Sequence, residues 1–304
     1  MEIISKRHPY KFYLTLILIN AFFLIISSIF ILFFNDNNKF IIASLILIII
    51  AISITVGFIK NTPIIILDKK GITYKNNFID WSELSSAKLT GKGDMIFTSG
   101  ECATLAFKDA EKIQIFDDFY SNISEMKCFI QEIVIEKKDD FEVSMQETNS
   151  IDMDQELFVP YKGNPIFTFE GFVLLGLILF ILFLPFYSSK PISTKGMLFI
   201  SLLAIFMFLM ISKLMNYFEI SKNFFTIKNH YYFWKKEDYP ISDIREVVYE
   251  QQYRQPNRIR LITEDFKSIL YIAASLNNKT WLEMKKDLES KNIIVRNECI
   301  PESK

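Results

Sequence analysis

The side chains that could do covalent or acid–base chemistry are few in this sequence and poorly spaced for it. The two histidines, His8 and His230, are far apart in the chain, so a metal centre built on histidine spacing is excluded. Cys102, Cys128 and Cys299 are odd in number and show no CxxC spacing. They read as two part-buried reduced thiols and one in a tail. No GxGxxG, GxxxxGK[ST] or GxSxG motif occurs, which removes the common phosphate cradles and the nucleophile elbow. The acid pairs Asp117/Asp118 and Asp139/Asp140 are adjacent, so their side chains diverge and read as solvated surface. The inventory speaks against an enzyme and implies neither cofactor nor metal.

Recognition chemistry remains. Arg254, Arg258, Arg260 and Lys267 fall within fourteen residues and form a candidate binding patch. Alternation along a strand places Ile259 and Leu261 inward and Arg258 and Arg260 outward. Facing a cytoplasmic leaflet, such a patch gains about 1 kcal/mol per cation from anionic lipid. The plainer reading is that Glu250, Glu264 and Asp265 neutralise it as a solvated sheet face. The run YYFW, residues 231–234, reads as a strand with Tyr231 and Phe233 on one face and Tyr232 and Trp234 on the other. That makes Tyr232 and Trp234 a candidate aromatic contact, at the lipid headgroups or on a protein partner, with interior packing as the plainer fate. Residues 61–137 hold nine lysines against twelve acids, a net of −3, and residues 217–304 hold fifteen cations against thirteen acids, a net of +2. Neither stretch has the strong basic field that nucleic-acid binding requires.

The elements that carry these residues are organised by four apolar runs: 12–34, 40–59, 166–187 and 197–212. The first two hold no charge and are each long enough, at about 20 residues, to cross a bilayer core as a helix. The third carries Glu170 and Pro185 and the fourth stops at Lys213; both still read as spans, because backbone in lipid must close its own hydrogen bonds. A cleaved leader competes for the first run, since Lys6, Arg7 and Lys11 precede it, but the run is long and NDNNK follows it in place of a cleavage site. Lys6, Arg7 and Lys11 before the first hairpin and Lys60, Lys69, Lys70 and Lys75 after it predict a multi-pass protein of the cytoplasmic membrane with both termini cytoplasmic. In the second hairpin the bias is weaker, with Lys190 and Lys195 in its turn.

Laid against itself at an offset of about 155 residues, the chain shows two copies of one pattern. IIILDKKGITYKN (64–76) parallels FEISKNFFTIKNH (218–230), WSEL (81–84) parallels ISDI (241–244), and EMK occurs at 125–127 and 283–285. In the second copy 245–252, 257–263 and 268–272 read as strands, with QPN and EDF as turns. Trp281, Met284 and Leu288 then recur at helical spacing, as Met126, Phe129, Ile130 and Ile133 do in the first copy. Six or seven strands closed by an amphipathic helix is the plan of a pleckstrin-homology (PH)-like barrel.

With Asp68 to Gly71 followed by Ile79, Trp81, Glu83 and Leu84, the chain resembles bacterial membrane proteins in which a two-helix hairpin precedes a PH-like domain. The second copy departs from that pattern at Phe224 and Ile241. The resemblance implies a fold and a location, with no reaction attached. The expected architecture is an α+β integral membrane protein with four transmembrane helices in two hairpins, each followed by a PH-like antiparallel β-barrel or sheet domain with a C-terminal helix. Residues 1–60 form hairpin 1, 61–137 the first PH-like domain, 138–165 an acidic flexible linker with seven acids against Lys138 and Lys162, 166–216 hairpin 2 and 217–304 the second domain. The expected partners are membrane lipids, a protein, or further copies of the chain. Within the spans Asn20 is a lone polar group able to bond a neighbouring helix. A small oligomeric transporter, for which the spans hold few polar residues, and a membrane-resident immunity or stress protein are the alternatives.

Overall fold

The computed structural model describes residues 2–33, 38–94, 99–108, 112–139, 141, 156–187, 194–253 and 255–302. Half of the expected linker (residues 142–155), Asp36, Asp140, Lys190 and Arg254 lie outside them. The chain is mixed α+β with antiparallel sheets and divides into two compact units, Met1–Ser144 and Met145–Lys304.

In the first unit a short strand, β1 (Glu2–Ile4), comes before the two apolar helices, where hairpin alone was expected. His8 caps a π-helical turn, Pro9–Leu14, its Nδ1 accepting the amides of Tyr10 and Lys11 at 3.2 and 3.1 Å. Helices α1 (Thr15–Phe33) and α2 (Asn38–Lys60) follow. The stretches Pro9–Ile31 and Lys39–Lys60 are long and apolar enough to cross a membrane. Asn20 does bond a neighbouring helix: its Nδ2 donates to Thr55 Oγ1 at 2.8 Å, and the Ser27 and Ser44 hydroxyls meet inside the hairpin.

The chain then returns to β1. Strand β2 (Ile65–Asp68) pairs antiparallel with it, Ile3 opposite Leu67, and β3 (Gly71–Tyr74) and β4 (Asn77–Asp80) complete the sheet β1-β2-β3-β4. The hairpin is thus inserted between two neighbouring strands. Its base is tied down as well: the Arg7 guanidinium donates to the Thr62 carbonyl at 2.8 Å, Tyr120 donates to the Pro63 carbonyl at 2.6 Å, and Phe12 packs against Phe58.

The Asp68–Gly71 turn has a visible cause. Asp68 Oδ1 accepts the Lys70 and Gly71 amides at 2.6 and 2.8 Å, and a Cβ on residue 71 would collide with the Ile79 carbonyl and the Phe78 ring. Trp81 Nε1 donates to the Asp68 carbonyl at 2.8 Å. Beyond a 3₁₀ turn, Trp81–Glu83, strands β5 (Leu84–Lys88), β6 (Lys92–Asp94), β7 (Ser99–Phe107) and β8 (Ile113–Phe116) form a second sheet about β7, and α3 (Ile123–Phe129) and the turn after it bury Met126, Phe129 and Ile130.

The second unit runs in the same order. Strand β9 (Val159–Tyr161), at the end of the expected flexible linker, precedes α4 (Phe169–Tyr187) and α5 (Thr194–Ser212). Their apolar stretches in the described residues, Phe169–Ile181 and Gly196–Ser212, are shorter than those of the first pair. Strands β10 (Asn216–Ile220), β11 (Phe224–Asn229) and β12 (Lys236–Pro240) build the sheet β12-β11-β10-β9. Ser221 takes the place of Asp68, its Oγ accepting the Phe224 amide at 2.9 Å, which is how the turn forms without glycine.

After a 3₁₀ turn come β13 (Ile244–Glu250), β14 (Arg258–Thr263) and β15 (Ser268–Ile272), the strands expected from sequence. The amphipathic helix α6 (Asn278–Ser290) buries Trp281, Met284 and Leu288 in one core with Phe218, Phe225, Val247, Tyr249 and Leu261. The helix is not the final element. Asn292, at φ 64, turns the chain into β16 (Ile294–Asn297), which pairs parallel with β13.

Candidate functional site

The structure separates the two candidate recognition features. Strand β14 is buried along its whole length, so the outward placement of Arg258 and Arg260 is corrected. The antiparallel register sets Glu250 opposite Arg258 and Val248 opposite Arg260. Glu250, 0% exposed, takes Arg258 Nε at 3.0 Å and Arg260 Nη2 at 3.1 Å, and Arg260 is itself 1% exposed. Gln252 Oε1 accepts from Arg258 Nη1 and Ser268 Oγ from Arg260 Nη1, each at 2.9 Å. Glu250 does neutralise the arginines, as the plainer reading held, but inside the protein. Lys267 lies apart in the β14–β15 turn, where its amide donates to Thr263 Oγ1 at 3.0 Å. Arg258, Arg260 and Glu250 therefore form a structural ion triad.

A second buried pair sits in the first unit. Lys127 Nζ lies 2.6 Å from Asp117 Oδ1, with the lysine side chain 0% exposed. This corrects the reading of Asp117 and Asp118 as solvated surface; of the two, only Asp118 faces outward, 2.5 Å from Lys11. Cys102 is buried, and loss of solvation pushes its thiol up from the ordinary value, which removes thiolate reactivity.

The aromatic run is placed differently from its expectation. Residues 230–235 form a loop between β11 and β12, so the two-faced alternation of YYFW does not arise. The corresponding connection in the first unit is two residues, Lys75–Asn76, between β3 and β4. The longer loop is held by one side chain. Asn229 is buried; its Oδ1 accepts the amides of Tyr231 and Tyr232, both at 3.0 Å, and its Nδ2 donates to the Ser212 carbonyl at 2.9 Å and Asn216 Oδ1 at 3.1 Å.

Every donor and acceptor of that amide is used. Ser212 is the last residue of α5, whose terminal carbonyls have no partner within the helix, so Asn229 caps the helix and fixes the loop together. Tyr232 Oη adds a bond to the Leu209 carbonyl at 2.9 Å, and Tyr231 packs edge-on against Phe208. Phe233 and Trp234 are left 86% and 69% exposed, edge-to-face with one another. Of the expected aromatic pair, Tyr232 is a strut and Trp234 an exposed tip.

Replacing Asn229 by alanine is expected to cost about 1–3 kcal/mol, the penalty for stranding buried polar groups. Urea unfolding in mild detergent should show it. Loop amides 231 and 232 should exchange with solvent faster in the same variant.

His230 begins the loop. Its ring packs on Tyr217 at 4.7 Å, with Nε2 3.1 Å from Ser275 Oγ. Burial, with a smaller push from Lys162, lowers its pKa from 6.5 to about 4. Because the unfolded chain binds this proton more readily, the neutral ring's contribution is complete above pH 6.5 and is lost as pH falls towards 4. Unfolding midpoints of the second unit should fall across that window. The drop should be shallower in His230→Gln; an unchanged slope would remove the histidine as its cause.

Comparison of the chain with protein-family models and with curated proteins found no match.

Proposed function

We propose that the chain is a non-enzymatic protein of a bacterial cytoplasmic membrane, in which two helical hairpins hold two duplicated PH-like β units at the cytoplasmic face as binding modules for a protein partner or a lipid. The observation that carries this reading is the insertion of each hairpin between neighbouring strands, β1 and β2 in one unit and β9 and β10 in the other. Two covalent crossings into one sheet edge orient a domain against its anchor far more tightly than a single linker does. A device of that kind suits a module that works at a surface.

Duplication is supported by the shared element order and by the Asp68/Ser221 turn equivalence. The transporter alternative draws no support from the first hairpin, because Asn20, Thr55, Ser27 and Ser44 bond one another across it. The arginine triad is neutralised internally, so binding is assigned to other surfaces.

Native purification in polymer discs, with mass spectrometry of co-purifying proteins and lipids, tests the reading. A stoichiometric protein or an enriched lipid class is expected. Neither of these, together with solute flux in reconstituted vesicles, would replace it with the transporter.

A further inference from the structure

We infer that the 231–234 loop is a lipid-interface anchor: Phe233 and Trp234 insert into the headgroup and upper acyl region of the leaflet beside the end of α5. The inference rests on the reading of α4 and α5 as a membrane hairpin and adds a site to it.

Position is the first argument. Helix α5 has 19 residues, about 28 Å at 1.5 Å per residue, close to the roughly 30 Å hydrocarbon thickness. Tyr232 and Asn229 bond the carbonyls of Leu209 and Ser212 in its last turn, so the loop is fixed at the depth where hydrocarbon gives way to headgroups. Continuity is the second. Phe206, Leu209 and Met210 form exposed apolar surface on α5, and Tyr232, bonded to the Leu209 carbonyl, joins the loop to that turn of the helix, while Tyr231 packs with Phe208 on the inner side against Leu174, Ile211 and Met215.

Composition is the third. Aromatic rings favour the membrane interface, and Lys213, directly after α5, places an ammonium group where it complements anionic headgroups, whereas Lys235 and Lys236 sit beside Glu237 and Asp238 at 3.5 and 3.2 Å. Finally, the fold does not need the extension, since the first unit turns the same corner with Lys75–Asn76. A partner protein would explain exposed rings but not their fixed depth beside an apolar helix end.

The test uses the full chain in phosphatidylcholine–phosphatidylglycerol vesicles, with acyl-brominated lipid as a contact quencher and iodide as an aqueous one. Emission of Trp234 is taken as the difference between the wild type and Trp234→Phe. It should be blue-shifted, lose most of its intensity to brominated lipid and resist iodide. Leu203→Trp in the Trp234→Phe background places a reporter in the middle of α5. Quenching of that reporter by brominated lipid and of Trp234 by iodide would overturn the anchor while keeping the hairpin in the membrane. Trp234 insensitive to both quenchers would place protein, such as a second copy, over the loop and also overturn it. If neither Trp234 nor the reporter at position 203 responds to brominated lipid, both the anchor and the membrane hairpin fall.

Discussion

Glu250→Ala is expected to destabilise the second unit by about 3–5 kcal/mol, because it leaves two guanidinium groups buried without their shared counter-charge. Against the roughly 5–15 kcal/mol stability of an ordinary domain, that is a large fraction of the total. The geometry also predicts an order. Arg258→Met leaves Glu250 paired with Arg260 at 3.1 Å, and Arg260→Met leaves it paired with Arg258 at 3.0 Å; each should cost less than Glu250→Ala. Arg260, the more deeply buried of the two, should cost more than Arg258. Urea unfolding in mild detergent, followed through Trp281 in the same core, gives the ranking. Equal and negligible losses for all three variants would mean that the triad is solvated, and the arginines would again be available for binding.

Asp117→Ala should have a comparable effect in the first unit, about 3–5 kcal/mol, by taking the carboxylate away from the buried Lys127 ammonium. Replacing both partners with apolar residues of similar size, Asp117→Leu with Lys127→Met, should recover most of the loss, because the desolvation cost disappears with the charges. Hydrogen exchange resolved by unit should show protection falling across β8 and α3 in Asp117→Ala and returning in the double variant. A double variant as unstable as the single would show that this site requires the ion pair itself.

Both predictions concern residues whose setting was hardest to read from sequence. Alternation along 258–263 correctly put Ile259 and Leu261 in the core, but it treats the opposite face as solvent. Both faces of β14 are buried, and only the pairing of Glu250 with Arg258 across the β13–β14 register shows where the charge goes. Asp117 looked like half of a surface acid pair for the same reason: its partner is ten residues on, in a helix.

The long apolar runs and the Trp281, Met284 and Leu288 spacing were legible, because periodicity is a local property. Strands β1 and β9 were not. Each has three residues, too few to show a period, and the partner of each lies beyond the intervening hairpin. The YYFW run reads as a strand because its residues favour strands. A single buried amide, Asn229, overrides that preference by seizing two of the loop's backbone N–H groups. The Lys75–Asn76 turn in the first unit was the available signal, since it implies that residues beyond Asn229 are an addition to the turn.

The central claim, two hairpins crossing one membrane with both β units on the cytoplasmic side, is tested most directly by impermeant thiol labelling of intact cells. Four single-cysteine variants would be made in a chain lacking Cys102, Cys128 and Cys299. Asn37→Cys and Ser189→Cys lie between the helices of each pair in sequence, and Ser86→Cys and Lys279→Cys lie in the two β units. Labelling of the Asn37→Cys and Ser189→Cys variants from outside, with Ser86→Cys and Lys279→Cys reached only after lysis, is the predicted result. Labelling of either β-unit variant in intact cells, or failure of Ser189→Cys to label while Asn37→Cys does, would contradict it.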